Sequence, residues 1–157
     1  MDAIVLLEED HETVEKLFKE FEQAGDRAFA TERRIVDRVI EELTVHTVIE
    51  EEVSYPAARE AAPGTADHVL ESVEEHHVVV WLLAEPAGLE PQDERFDAKM
   101  TVLMENVRHH VGEEERDWFP EVRKAMGRNR LRELGERLEA AEETATRDPL
   151  KVPSATK

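Results

Sequence analysis

Apolar residues recur at steps of three and four along most of the chain, the spacing of one face of an α-helix. Ile4, Leu7, Val14, Phe18 and Phe21 mark a first helical segment that runs from Asp2, a suitable N-cap, to Gly25. A second segment starts near Thr31, carries Ile35, Val39, Leu43 and Val53 on one stripe, and stops at Pro63-Gly64. A third starts near Thr65 and ends before Pro86-Ala87-Gly88. A fourth, with Pro91 suited to its first turn, carries Phe96, Met100, Leu103 and Val107 and continues to about Gly127. A fifth, from Arg130 to about Thr144, sets Leu131, Leu134, Leu138 and Ala141 on one side. No stretch alternates as a strand does, and Val78-Val79-Val80-Trp81, rich in β-formers, is flanked by helical pattern on both sides. The expected fold is all-α: an up-down four-helix bundle over residues 1–127, a C-terminal helix over 128–147 packed on it, and a flexible polar tail over 148–157. Phe18, Phe21, Trp81 and Phe96 read as core.

Two prolines, Pro56 and Pro120, fall inside helical segments, where each must end or kink its helix and begin a short continuing piece. They belong to a repeat. His46, Glu50, Glu51, Tyr55 and Pro56 correspond to His110, Glu114, Glu115, Phe119 and Pro120, each pair 64 residues apart. The preceding segments match as well. Asp10-His11 precedes Val14, Leu17 and Phe18, and Glu75-His76 precedes Val79, Leu82 and Leu83 at the same offsets. The chain reads as two copies of a helix pair.

Helical phase sorts the histidines. His110 and Glu114 continue the Phe96–Val107 stripe, His46 and Glu50 continue the Ile35–Leu43 stripe, and His11 sits between Leu7 and Val14. His109 falls on a polar stripe and reads as solvated, and His68 beside Asp67 reads as surface. In the third segment His76 shares a face with Val69, Val79 and Leu83, while His77 shares one with Leu70, Val80 and Trp81. Periodicity does not choose between them; the repeat alignment selects His76. Tyr55 lies about half a turn off the His46 face and reads as packing. Asp117 lies one turn beyond Glu114, either as an outer partner of the cluster or as an exposed acid at the bundle's end.

Folding would therefore bury four imidazoles and two carboxylates together, with no Lys or Arg on their stripes to pair them. An unpaired buried carboxylate costs roughly several kcal/mol, and a bound cation removes that difficulty. Composition narrows the chemistry. The chain has no cysteine, which excludes disulfides, thiolate catalysis and iron–sulfur clusters. Mixed imidazole and carboxylate donors without sulfur suit iron or manganese, and six of them exceed a tetrahedral zinc site. Lys plus Arg minus Asp plus Glu is 20 − 38 = −18, which repels nucleic acid and anionic lipid. The longest apolar run, Val78 to Ala84, is too short to span a membrane, and the acidic N-terminus is no signal peptide. A cytoplasmic location is expected.

The pattern of Asp10-His11, His46-x3-Glu50 with Tyr55-Pro56, Glu75-His76-His77, and His110-x3-Glu114 with Phe119-Pro120 resembles the hemerythrin-like, or HHE cation-binding, family over about residues 1–127. The resemblance implies a four-helix bundle around two non-haem iron ions joined by an oxo or hydroxo bridge. His11, His46, Glu50, His76, His110 and Glu114 would be the ligands. Hemerythrin proper carries two His four apart on its third helix and ends with His-x4-Asp. Here Val80 and Trp81 follow His76 and His77 at that spacing, and Glu115 follows His110. The chain thus looks more like the bacterial HHE branch. Its more open centre implies chemistry on a small oxidant (dioxygen, hydrogen peroxide or nitric oxide), with an iron- or oxygen-sensing module without turnover as the alternative. The rival ferritin-like fold builds its site on Glu-x-x-His motifs; Glu74-x-x-His77 has that spacing, but His46 and His110 have no Glu three residues before them and are each followed by Glu four residues on. The expected partner is the oxidant itself, with neither nucleic acid nor membrane, on a monomer or weak homodimer.

Overall fold

The Asp2 carboxylate caps the chain's first helix, accepting from the amides of Ile4 at 2.8 Å and Val5 at 3.2 Å. The computed structural model describes residues 1–25 and 28–152. Its helices are α1 (Ala3–Gln23), α2 (Phe29–Ile49), α3 (Tyr55–Ala61), α4 (Ala66–Ala87), α5 (Phe96–Glu113) and α6 (Phe119–Thr144). No strand occurs among the described residues. α1 packs on α2 and α4 on α5 as two hairpins, and α2 lies against α4 to join them. The fold is the all-α helical bundle that the periodicity predicts.

Two apolar clusters fill the bundle. One gathers Phe18, Phe21, Val36, Leu83, Phe96 and Leu103. The other gathers Leu7, Ile49, Tyr55, Trp118, Leu131 and Leu138. α1, α2 and α4 each pass from one cluster to the other at their histidine, and after His110 near the end of α5 the chain enters the second cluster at Trp118, so the polar layer lies where the two clusters meet.

Each proline of the repeat follows a single turn of π-helix, Glu50–Ser54 before Pro56 and Glu114–Trp118 before Pro120. Proline has no N–H to donate, and its ring crowds the carbonyl one turn back. The preceding residue donates five positions back instead, Tyr55 to the Glu50 carbonyl and Phe119 to the Glu114 carbonyl. Both prolines then occupy the first turn of the helix that follows.

Several boundaries differ from the sequence expectation. α2 begins at Phe29, ahead of Thr31, and α5 begins at Phe96; Pro91 lies in the turns before it. α4 runs through Pro86 to Ala87, and Arg33 donates to the carbonyls of Pro86 at 3.2 Å and Leu89 at 2.8 Å, satisfying the end of that helix. Trp81 is 68% exposed, since five residues past His76 it has turned well away from the inward face; Phe18, Phe21 and Phe96 are core. The stretch read as a flexible tail is ordered over 148–152. Pro149–Lys151 forms a 3₁₀ turn, and Val152 is fully buried against Val48 and Val80. One valine in a polar stretch gives little periodicity to read, yet it carries that docking. Residues 153–157 lie outside the described residues.

α6 breaks at Gly127, whose φ of 72° is the left-handed region that glycine tolerates. Beyond the break, Leu131, Leu134 and Leu138 pack in the same cluster as Ile4, Leu6 and Leu7 of α1. Gly135 lets the two elements touch: a Cβ there would collide with the Met1 carbonyl and crowd the Ala3 amide. At Gly112, on α5, a Cβ would meet nothing within 4 Å. Gly112→Ala is therefore expected to stabilise the fold by up to about 1 kcal/mol through helix propensity. Gly135→Ala is expected to destabilise it by about 1 kcal/mol or more, overpacking outweighing the same propensity gain. Urea unfolding of the two variants checks the opposite signs.

Candidate metal centre

Each long helix of the bundle sends one imidazole inward: His11 from α1, His46 from α2, His76 from α4 and His110 from α5, each with 6% exposure or less. Glu50 and Glu114, the first residues of the two π-turns, are fully buried beside them. The six residues selected from sequence thus meet in one place. Their donor atoms form two clusters that could each hold an ion, His11 with His46 and Glu114, and Glu50 with His76 and His110; within each, the donor atoms lie within 4.8 Å of one another.

Each carboxylate reaches both pairs of imidazoles. Glu50 Oε1 lies 2.9 Å from His46 Nε2 and 3.4 Å from His76 Nε2. Glu114 lies 3.3 Å from His11 Nε2 through Oε1 and 3.2 Å from His110 Nε2 through Oε2. The Nε2 atoms of His11 and His46 face each other at 3.2 Å, as do those of His76 and His110.

The outer ring nitrogens fix the tautomers. His46 Nδ1 lies 3.0 Å from Asp10, His110 Nδ1 3.2 Å from Glu75, and His11 Nδ1 2.9 Å from Glu115. An ionised carboxylate only accepts, so each of these Nδ1 atoms donates and each Nε2 is left to face inward. A carboxylate behind the imidazole is the usual support of a metal-binding histidine, orienting the ring and raising its basicity. Asp10 and Glu75 stand in the repeat, but the sequence pattern does not assign them this role. Both acids serve the histidine of the neighbouring helix and not the one beside them in sequence, which spacing along one helix does not reveal.

In the absence of a cation these groups draw protons inward. Burial disfavours charge on His46, but the Glu50 and Asp10 carboxylates outweigh it and push the imidazole well above its ordinary value. Burial also opposes protonation of His110, and Glu114, Glu75 and Glu50 together raise it to about 10. Burial works against the ionised form of Glu114, yet His110 and His11 hold it well below the usual carboxylate range.

Tyr55 joins the site. Its hydroxyl donates to Glu114 Oε2 at 3.1 Å and lies 3.1 Å from His76 Nε2. Burial, then Glu114 and Glu50, push the phenol well above its ordinary value. The regular helix expected from sequence placed Tyr55 about 180° from His46; the extra residue of the π-turn takes back about 100° and brings it round to the carboxylates. The adjacent Pro56 was the signal that could have found it. In the second half Phe119 takes the equivalent place and stacks on His11, with centroids 5.8 Å apart.

The remaining candidates face elsewhere. His77 bonds Glu74 at the surface, and His109 is exposed beside Glu113. Asp117 is exposed and pairs with Arg116. His68, read as surface, stacks half-buried on Trp118.

Metal binding must displace the protons that these imidazoles hold, so divalent metal added to metal-free protein is expected to release protons and to bind more tightly as pH rises. His110 is raised in the folded state, so its stabilisation of the metal-free chain is full below about 6.5, its unfolded value, and is lost as pH rises through about 10. Melting temperature is expected to fall from pH 7 to pH 10 in metal-free protein and to change much less in loaded protein. Indicator-dye titration and calorimetry check both.

No curated protein is significantly similar to the chain. Among solved structures, a hemerythrin HHE cation binding domain-containing protein from Mycobacterium kansasii has the same fold. It superposes with a TM-score of 0.77 at 24% identity, over 91% of this chain and 86% of that one. The sequence model of the Hemerythrin HHE cation binding domain matches residues 2–122, and the chain belongs to that family.

Proposed function

We propose that the centre holds two non-haem iron ions joined by an oxo or hydroxo bridge and acts on a small oxidant: dioxygen, hydrogen peroxide or nitric oxide. His11 and His46 would hold one ion, His76 and His110 the other, with Glu50 and Glu114 spanning both. The carrying observation is the orphaned buried oxygen: both oxygens of Glu50 and Oε1 of Glu114 have no hydrogen-bond partner among the described residues, although imidazole nitrogens crowd around them. Buried carboxylates left so are costly unless cations sit among them. Nitrogen and oxygen donors without sulfur suit iron or manganese.

Iron bound there would supply the redox chemistry. The chain's part is to hold and shield. Asp10, Glu75 and Glu115 lock three imidazoles with Nε2 inward. Phe119 covers His11, and Tyr55, wedged against Trp118, keeps a hydroxyl proton on Glu114. Above the layer a cavity of about 20 Å³, walled mainly by Val14, Leu43, Val79, Val107 and Val111, leaves room for a ligand about the size of water.

Metal analysis and the visible spectrum of protein purified in air test this reading, with two irons per chain and an oxo-bridge band expected. Glu114→Ala is expected to lose most of the bound iron, whereas Glu113→Ala, one residue off the inward face, is expected to keep it. Equal losses, or one metal or none in the parent protein, would refute the assignment. Steady-state consumption of peroxide or nitric oxide separates turnover from sensing.

A further inference from the structure

The duplication supplies a control inside the molecule. The cavity above the metal layer is lined by residues that correspond between the two halves: Val14 with Val79, Leu43 with Val107, and Thr47 with Val111. It therefore lies on the relation between the halves, and two equivalent grooves should reach it, one between α1 and α5 and one between α4 and α2. The two grooves differ. α2 lies close against α4, while α1 and α5 stand further apart. Between α1 and α5 a groove of about 280 Å³ opens beside Glu12, Glu15, Phe18, Arg108 and Gly112. It ends on His11, Val14, Val107 and Val111, which also line the inner cavity.

The twin groove is filled. Gly112 corresponds to Val48 and Glu15 to Val80, and on that valine pair sits Val152, fully buried. Asp148 secures the plug by accepting from the Leu150 amide at 3.0 Å, which holds the 3₁₀ turn against α4. On the open side a Cβ at Gly112 would meet nothing within 4 Å, and Arg108 crosses to α1, pairing with Glu15 at 3.0 Å and Glu22 at 2.8 Å above Phe18.

We propose that small ligands reach the centre through the α1–α5 groove and not through the equivalent α2–α4 groove, which the C-terminal turn ending at Val152 plugs. The proposal rests on the small-oxidant reading for its biological use and on packing alone for its geometry. The residues that decide access are Gly112, which keeps one groove open, and Val152, which closes the other.

Methyl-resolved NMR of the full chain under xenon pressure tests the packing without iron. Shifts are expected at Val14, Val107 and Val111 and none at Val48 or Val80. Gly112→Phe is expected to abolish those shifts and, in iron-loaded protein, to slow nitric oxide association by about tenfold or more with iron content unchanged. Val152→Ser in the Gly112→Phe background, or a chain ending at Arg147 in that background, is expected to open the twin groove and restore both. Xenon shifts at Val48 and Val80 in the parent chain would overturn the proposal. So would a Gly112→Phe variant whose xenon response and association rate stay within about twofold of the parent. A chain that takes up no iron would sink the di-iron reading and leave the xenon outcome to decide this one.

Discussion

Two buried carboxylates whose ionic partners are all imidazoles govern this molecule. Glu50 and Glu114 have no exposure, and their close ion-pair distances are all to histidine Nε2 atoms. Positive charge has to come from protons on those histidines or from cations among them. The raised affinity of His46 and His110 for protons is the same demand expressed without metal. It also explains why acids stand behind the imidazoles on the outside. Asp10, Glu75 and Glu115 turn three rings so that Nδ1 is engaged and Nε2 must face the layer. A surface of net charge −18 adds to that field and favours cations over anions at the layer.

The backbone serves the same constraint. A regular helix continuing past His46 and Glu50 would carry the next aromatic to the far side. Pro56 and Pro120 forbid that regularity, and the π-turns they impose begin at the two carboxylates. One local feature thus seats each carboxylate, rotates Tyr55 and Phe119 over the layer, and starts the short helical piece that closes the bundle's end. The halves differ in what this delivers: a hydroxyl beside His76 in one and an apolar ring against His11 in the other. The two donor clusters are therefore inequivalent.

The helices and the six inward donors were legible because burial imposes a period that composition cannot disguise. His110 and Glu114 extend an apolar stripe, and nothing in a soluble helix puts a carboxylate there without a partner inside. The repeat settled His76 over His77 where periodicity was silent, and His77 does face solvent beside Glu74. Legibility stopped where contacts cross between helices or where the period itself breaks. Glu115 gives no signal in the sequence because its partner His11 is 104 residues away. Tyr55 looked misplaced because 3.6 residues per turn does not hold across a π-turn. Val152 looked like tail because a single apolar residue carries no period. Trp81 is aromatic and so has the character of core, but helical phase turns it well away from the face of His76.

Duplication gives a bundle two of everything, and a duplicated centre would be reached from two sides. The side chains that break the symmetry here sit mostly around the grooves. Thr44 against Arg108, Val48 against Gly112 and Val80 against Glu15 each put a compact, buried residue on one side and a long, charged or absent side chain on the other. Those differences are what a docking face for Val152 needs on one side and what an open groove needs on the other. The residues lining the inner cavity stay close in character between the halves, with Thr47 against Val111 the one polar exchange. The two copies have thus kept a common interior while their surfaces took separate tasks. One groove became a seat for the C-terminal turn, and the other remains the path from solvent to His11.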